Sequence, residues 1–127
     1  MQPTKEQILS RLTPVTRMEP SEVFGGELKL QELPRAAFRQ ASRAAALDGN
    51  RIDVDKWNGG LFCAGVVDAN GAPLFTLDEL LSWPHRAVVW NEIGRIAELL
   101  LNISEVGREA LTKSDPETDP GAGPGPD

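Results

Sequence analysis

Val89, Ile93, Ile96, Leu100 and Ile103 recur at helical spacing through "SWPHRAVVWNEIGRIAELLLNI". Those steps put all five on one stripe, while Asn91, Arg95, Glu98 and Asn102 fall on the other side. A helix with one apolar stripe draws most of its stability from whatever covers that stripe. The remaining elements must therefore form a layer against it. A chain of 127 residues, 40% apolar, can build one modest core and one small domain. Pro84 suits the first turn of this helix. "SEVGREALTK" then reads as a separate short helix capped by Ser104, with Gly107 weakening it.

The covering elements can be read in order. Thr4 and Gln7 form a capping box ahead of a short helix with Ile8, Leu9 and Leu12 on one edge, stopped at Thr13-Pro14. Leu28 and Leu30 alternate with Glu27, Lys29 and Gln31, the pattern of a half-buried strand. Gly25-Gly26 signals the turn of a small hairpin, and Pro20 confines the segment before it to an edge strand or a loop. "LPRAAFRQASRAAAL" is an alanine-rich helix with Pro34 in its first turn and Phe38 as its bulky anchor, ended by Asp48 to Asn50. The stretch 53–67 is ambiguous. Asp53 to Trp57 could open a helix, yet Gly59, Gly60 and Gly65 weaken it and the apolar run Leu61 to Val67 has no period. A buried helix ending near Asp68 is the expectation, with a strand as the alternative. Thr76 and Glu79 form a second capping box, opening a short helix to about Ser82.

The expected fold is thus α+β and mostly helical. A small N-terminal β-hairpin packs on a bundle of four to six short helices spanning residues 1–113. Residues 114–127, "SDPETDPGAGPGPD", are expected to form a disordered acidic tail rich in Pro and Gly.

Little in the chain suggests catalysis. "VVDANGAPLFT" superficially resembles a calcium loop, with Asp68, Asn70 and Glu79 at ligand positions. However, Ala72 offers no side-chain oxygen, and Pro73 stands where such loops need a glycine. The stretch reads better as a connector. Asn70-Gly71 makes a tight turn, Pro73 fixes the exit, Leu74 and Phe75 return to the core, and Thr76 caps the next helix. Cys63 lies among apolar residues with no basic neighbour, and with the lone His85 it falls short of a zinc set. No cofactor or metal is expected, and an enzyme is the least supported class.

The net charge is −6, and all 13 basic residues precede Ser114. A mildly acidic body with an acidic tail argues against a nucleic-acid binder. No run of eighteen apolar residues suggests a membrane span, and "MQPTKEQILSRLTP" has no apolar leader core, so a cytoplasmic chain is expected. Arg35, Arg39 and Arg43 sit four apart on one helix face, a dock for an acidic partner or simply solvated surface. Trp57, Trp83 and Trp90 could be partner anchors, with Trp90 better placed in the core beside the apolar stripe.

Five segments in order resemble the tail assembly chaperones of long-tailed bacteriophages, over about residues 4 to 113. They are the acidic lead and Gly-Gly turn of "MEPSEVFGGELKLQELPRAAFRQAS", its strand and its Arg/Ala helix, then "VVDANGAPLFT", "LDEL" and "AELLLNIS". "NGG" at Asn58 to Gly60 departs from the pattern, since a better helix former is usual there. The resemblance implies a non-enzymatic protein of the bacterial host cytoplasm, not retained in the mature virion. Its client would be the tape measure protein. A frameshifted longer form would recruit tail tube subunits, and this chain would be the short form. Self-association is left open. A structural virion subunit, such as a tail terminator or head-tail connector, is the rival reading. A helix-turn-helix regulator is poorly supported, because the second of its two helices, "PHRAVVWNEIG", is apolar rather than base-reading.

Overall fold

The computed structural model describes residues 2–112. Its architecture is the expected α+β one, and the helix that carries the apolar stripe organises it. This helix, α5, runs from Ala87 to Thr112, after α1 (Lys5–Ser10), α2 (Arg35–Ala45), α3 (Val54–Gly65) and α4 (Leu77–Leu81). Strands β1 (Thr16–Ser21), β2 (Gly26–Gln31) and β3 (Val66–Val67) form one antiparallel sheet in that order. Ile93, Ile96 and Leu100 are fully buried, and Ile103 nearly so. They pack with Leu30, Leu61, Phe62, Val66 and Leu80 from the other layers.

Both capping boxes form. The Thr4 hydroxyl accepts from Gln7 N at 3.1 Å while Gln7 Oε1 accepts from Thr4 N at 2.8 Å. Thr76 and Glu79 repeat the exchange at 3.2 and 2.7 Å. The two helices differ in burial. Helix α4 buries Leu80, whereas α1 buries nothing, leaving Ile8, Leu9 and the following Leu12 exposed.

The hairpin pairs Arg17 with Leu30 and Glu19 with Leu28. Gly25 closes it at φ 79°, a left-handed conformation that a side chain resists. Strand β1 is the sheet edge, where Pro20 removes no ladder donor. Its inward side is polar, with Glu19 and Ser21 buried. No apolar alternation therefore marks β1 in the sequence.

Four sequence expectations need correction. The ambiguous stretch 53–67 is the favoured buried helix, but it ends at Gly65 rather than near Asp68, and a two-residue strand follows it. Asp53 caps α3 by accepting from Lys56 N at 3.2 Å, the helix ends at Gly65, and Val66–Val67 turn extended to pair with Leu30 and Lys29. The β-branched pair suits a pleated surface, and β2 offers an open edge there. Second, the long helix starts at Ala87 rather than Pro84, because Arg86 N donates back to the Pro84 carbonyl in a tight turn at 2.9 Å. Third, Ser104 caps no new helix, and α5 continues through it as one long element rather than two short ones. The Ser104 hydroxyl donates to the Leu100 carbonyl and accepts from Leu33 N, tying α5 to the start of α2. One glycine costs a helix only about 1 kcal/mol, too little for Gly107 to end it. Fourth, Leu74 does not return to the core but is 47% exposed, since the Val67–Pro73 bridge turns the chain outward before Phe75 re-enters. The expected tail lies outside the described residues.

The glycines that made α3 ambiguous are contact points. A Cβ on Gly60 would lie 3.1 Å from that of Ala41, and one on Gly59 would lie 3.0 Å from a Leu77 methyl. A Cβ on Gly65 would run into both methyls of Leu100. Helix α3 gives up helix propensity so that α2, α4 and α5 can all approach it closely.

Candidate functional site

The connector after β3 is held by its own backbone. Asp68 N donates to the Ala72 carbonyl at 2.8 Å, and Gly71, at φ 86°, donates to the Asp68 carbonyl. Asp68 Oδ1 accepts from Asn70 N at 2.8 Å and from Ala72 N at 3.0 Å. The Ala72 N–H, then that of Asn70, holds this carboxyl below its usual range. Glu79 is committed to the Thr76 amide. One carboxylate oxygen of Asp68 and one of Glu79 are thus engaged by backbone amides. Millimolar calcium is expected to leave the melting temperature unchanged, read by a thermal scan with and without chelator. No group of three or more His, Cys, Asp or Glu among the described residues is placed to hold a metal.

Cys63 is buried, and burial first, with the Glu79 charge second, pushes its thiol up to about 12. At neutral pH it is a small apolar group, not a nucleophile. His85 is exposed, lies 3.6 Å from Asp55 and stacks at 5.4 Å on the buried Trp90.

The residues singled out for partner binding separate into two sets. Arg35, Arg39 and Arg43 are all exposed on the outer side of α2, and none is paired with a carboxylate among the described residues. Four-residue spacing aligns them into one cationic stripe because the opposite side of the helix is committed to burial through Ala37, Ala41 and Ala45. The tryptophans lie on other elements. Trp57 is half-buried on α3. Trp83, between α4 and α5, packs edge-on against Phe75 at 5.1 Å and also against Phe24 at 6.4 Å. Phe24 in turn meets Phe62, so Trp83 belongs to an aromatic cluster that joins the hairpin turn to the core.

Two features escaped the sequence. One is a half-open depression of about 390 Å³ between α2, α3 and the segment entering α4. Ala37, Ala41 and Ala44 form one wall, Gly60 and Ala64 the next, and Phe75 the third. The alanines were visible as helix content and the glycines as a weakness in it, but nothing in a linear chain says that two such faces meet. The second feature is a polar cluster that locks the hairpin to α5. Arg95 donates to Glu92 and to Glu19 at 2.8 Å or less, and to the Pro20 carbonyl at 3.2 Å. Arg17 adds a further bond to Glu19, and the Ser21 hydroxyl donates to Glu92 at 2.7 Å. Arg95 is the main cause holding both carboxyls below their ordinary range, against the opposing effect of burial. The partners lie up to 76 residues apart, so spacing alone could not pair them.

Among the described residues no helix is long and apolar enough to cross a membrane. No protein-family model, curated protein or solved structure matches the chain.

Proposed function

We propose that this chain is a tail assembly chaperone of a long-tailed bacteriophage, in its short form, which binds the tape measure protein in the host cytoplasm and leaves before the virion is complete. The observation that supports this reading is the stripe of Arg35, Arg39 and Arg43, exposed and with no carboxylate partner among the described residues. Such a stripe suits a long client with acidic segments, because surface charge raises encounter rate more than it raises affinity. A holder must cover apolar client stripes without locking on, which fits weak contacts repeated along the client. Tail tube recruitment belongs in this reading to a frameshifted longer form.

Co-expression tests it. The tape measure protein should stay soluble with the wild-type chain. It should become less soluble with Arg35, Arg39 and Arg43 all changed to Glu, although the fold survives, since exposed changes shift stability by roughly 0.5 kcal/mol each. High salt should reproduce the defect with the wild-type protein, because screening removes the attraction. A client that precipitates equally with and without the wild-type chain would end this reading. Finding the chain in purified particles would favour a virion subunit instead.

A further inference from the structure

A second hollow, of about 340 Å³, opens between the chain leaving α1 and the chain entering α2. Its apolar lining is Leu12, Pro14, Leu33 and Pro34, and Arg11 and Arg35 line it as well. Neither arginine is paired with a carboxylate among the described residues. The one acid in the lining, Glu32, has a carboxylate oxygen engaged by Val15 N at 3.1 Å. No side chain caps the start of α2 at Pro34, and a helix start favours negative charge beside it. Helix α5 passes next to this hollow. Leu33, in the lining, donates its N–H to the Ser104 hydroxyl at 3.1 Å. From Ser104 the helix runs on only to Thr112, about 12 Å further along its axis. The chain after it reads "KSDPETDPG", with Asp115, Glu117 and Asp119 at every second residue. An extended chain advances up to roughly 3.3 Å per residue, so these acids can return the distance that the helix has carried them.

We propose that the hollow is the docking site of this chain's own acidic segment, residues 115–120, held by Arg11 and Arg35. Three observations choose this occupant. The hollow presents two cations without carboxylates of their own, and the segment carries acids and no base. Pro116 and Pro120 interleave the acids and offer apolar rings to the leucine and proline lining, without needing a hydrogen-bonded element. The tether starts close to the site, so the segment is present at an effective concentration of about 1 mM whatever the concentration of the protein. A docked segment would shield Arg35, at one end of the arginine stripe, and so compete with an acidic client. That consequence, unlike the docking itself, rests on the chaperone reading.

The test uses the full chain, isotope-labelled for amide NMR, with a nitroxide on Gly121→Cys. Cys63 is buried and its thiol is pushed up to about 12, so the label goes to the new cysteine. At an effective concentration of about 1 mM, a contact of about 1 mM affinity is half-populated, and the amide signals of Arg11, Leu33 and Arg35 should fall by about half relative to the reduced label. Asp115→Asn, Glu117→Gln and Asp119→Asn together should restore the signals, and so should high salt. Arg11→Glu with Arg35→Glu should restore them too. Adding Asp115→Lys, Glu117→Lys and Asp119→Lys to that reversed pair should bring the loss back, a regain that cannot come from misfolding. Signals that do not fall, or that fall equally in the amide variant, would overturn the proposal. So would an equal loss in isotope-labelled wild type mixed with nitroxide-bearing chains, which assigns the hollow to the tail of a second copy. The chaperone reading fails separately. Docking that meets these marks, with no effect of the wild-type chain on tape measure solubility, would keep the tail contact and discard the client.

Discussion

Gly65→Ala is expected to lower the melting temperature by about 10 °C, the largest effect of any single methyl group added to this chain. Overpacking costs about 1–3 kcal/mol, and for a domain of this size each kcal/mol is worth roughly 4 °C or more. The new methyl would overlap Leu100, with Cδ1 at 2.7 Å and Cγ at 3.0 Å. Leu100 is fully buried, so it has no open space into which to turn. Gly65 is also the last residue of α3, where the chain passes into β3, so the helix cannot slide away without disturbing the pairing with β2. Helix propensity alone points the other way, since alanine favours a helix over glycine by about 1 kcal/mol. The sign of the measured change therefore decides which effect governs the position. Leu100→Ala should destabilise by itself, yet the double variant should be more stable than the sum of the two single losses. A Gly65→Ala protein as stable as wild type would show that α3 and α5 do not meet this closely.

Arg95→Met is expected to change how stability responds to acid as well as its level. In the wild type Glu19 and Glu92 have lowered carboxyl pKa values in the folded state. Between the folded and unfolded values the unfolded chain binds more protons, so stability rises with pH. The contribution is present in full above the ordinary value of 4.5 and fades as pH falls through the lower folded values. Removing the guanidinium leaves Glu92 buried with only the Ser21 hydroxyl, and burial then favours the protonated acid. Chemical denaturation from pH 3 to 7 should show a rising profile for wild type and a flatter or falling one for Arg95→Met. Adding Glu92→Gln should recover much of the lost stability at neutral pH, because it removes the uncompensated charge. Parallel profiles for wild type and Arg95→Met would mean that the cluster does not couple charge to folding.

How legible each element was in the sequence depends on the range of the forces that shape it. Caps and turns depend on neighbours a few residues away, and both capping boxes, the Gly25 turn and the Gly71 turn could be read directly. The apolar stripe of α5 was equally plain because its period is internal to one helix. Strand β3 was hidden, since Val66 and Val67 become a strand only when Leu30 and Lys29 offer an edge. The inward side of β1 was hidden for a related reason. Arg17, Glu19 and Ser21 look like solvent residues until Glu92 and Arg95 are placed above them. The arginine stripe was legible as a periodicity of four, but the depression on the other face of that helix required two helices from different parts of the chain to meet. Trp83 read as a free anchor because nothing local joined it to Phe24 and Phe75.

The polar underside of the edge strand also bears on the order in which the protein can be made. The hairpin is local and can close soon after residue 31 leaves the ribosome, but its Glu19 and Ser21 find their partners only at Glu92 and Arg95. Until α5 has emerged, the hairpin has neither the apolar stripe nor the guanidinium against it. An N-terminal fragment ending before Arg95 would therefore leave the sheet without its lid. The hairpin, though first in synthesis, would be among the last pieces to settle, and the fold would close as a unit once nearly the whole body has been translated.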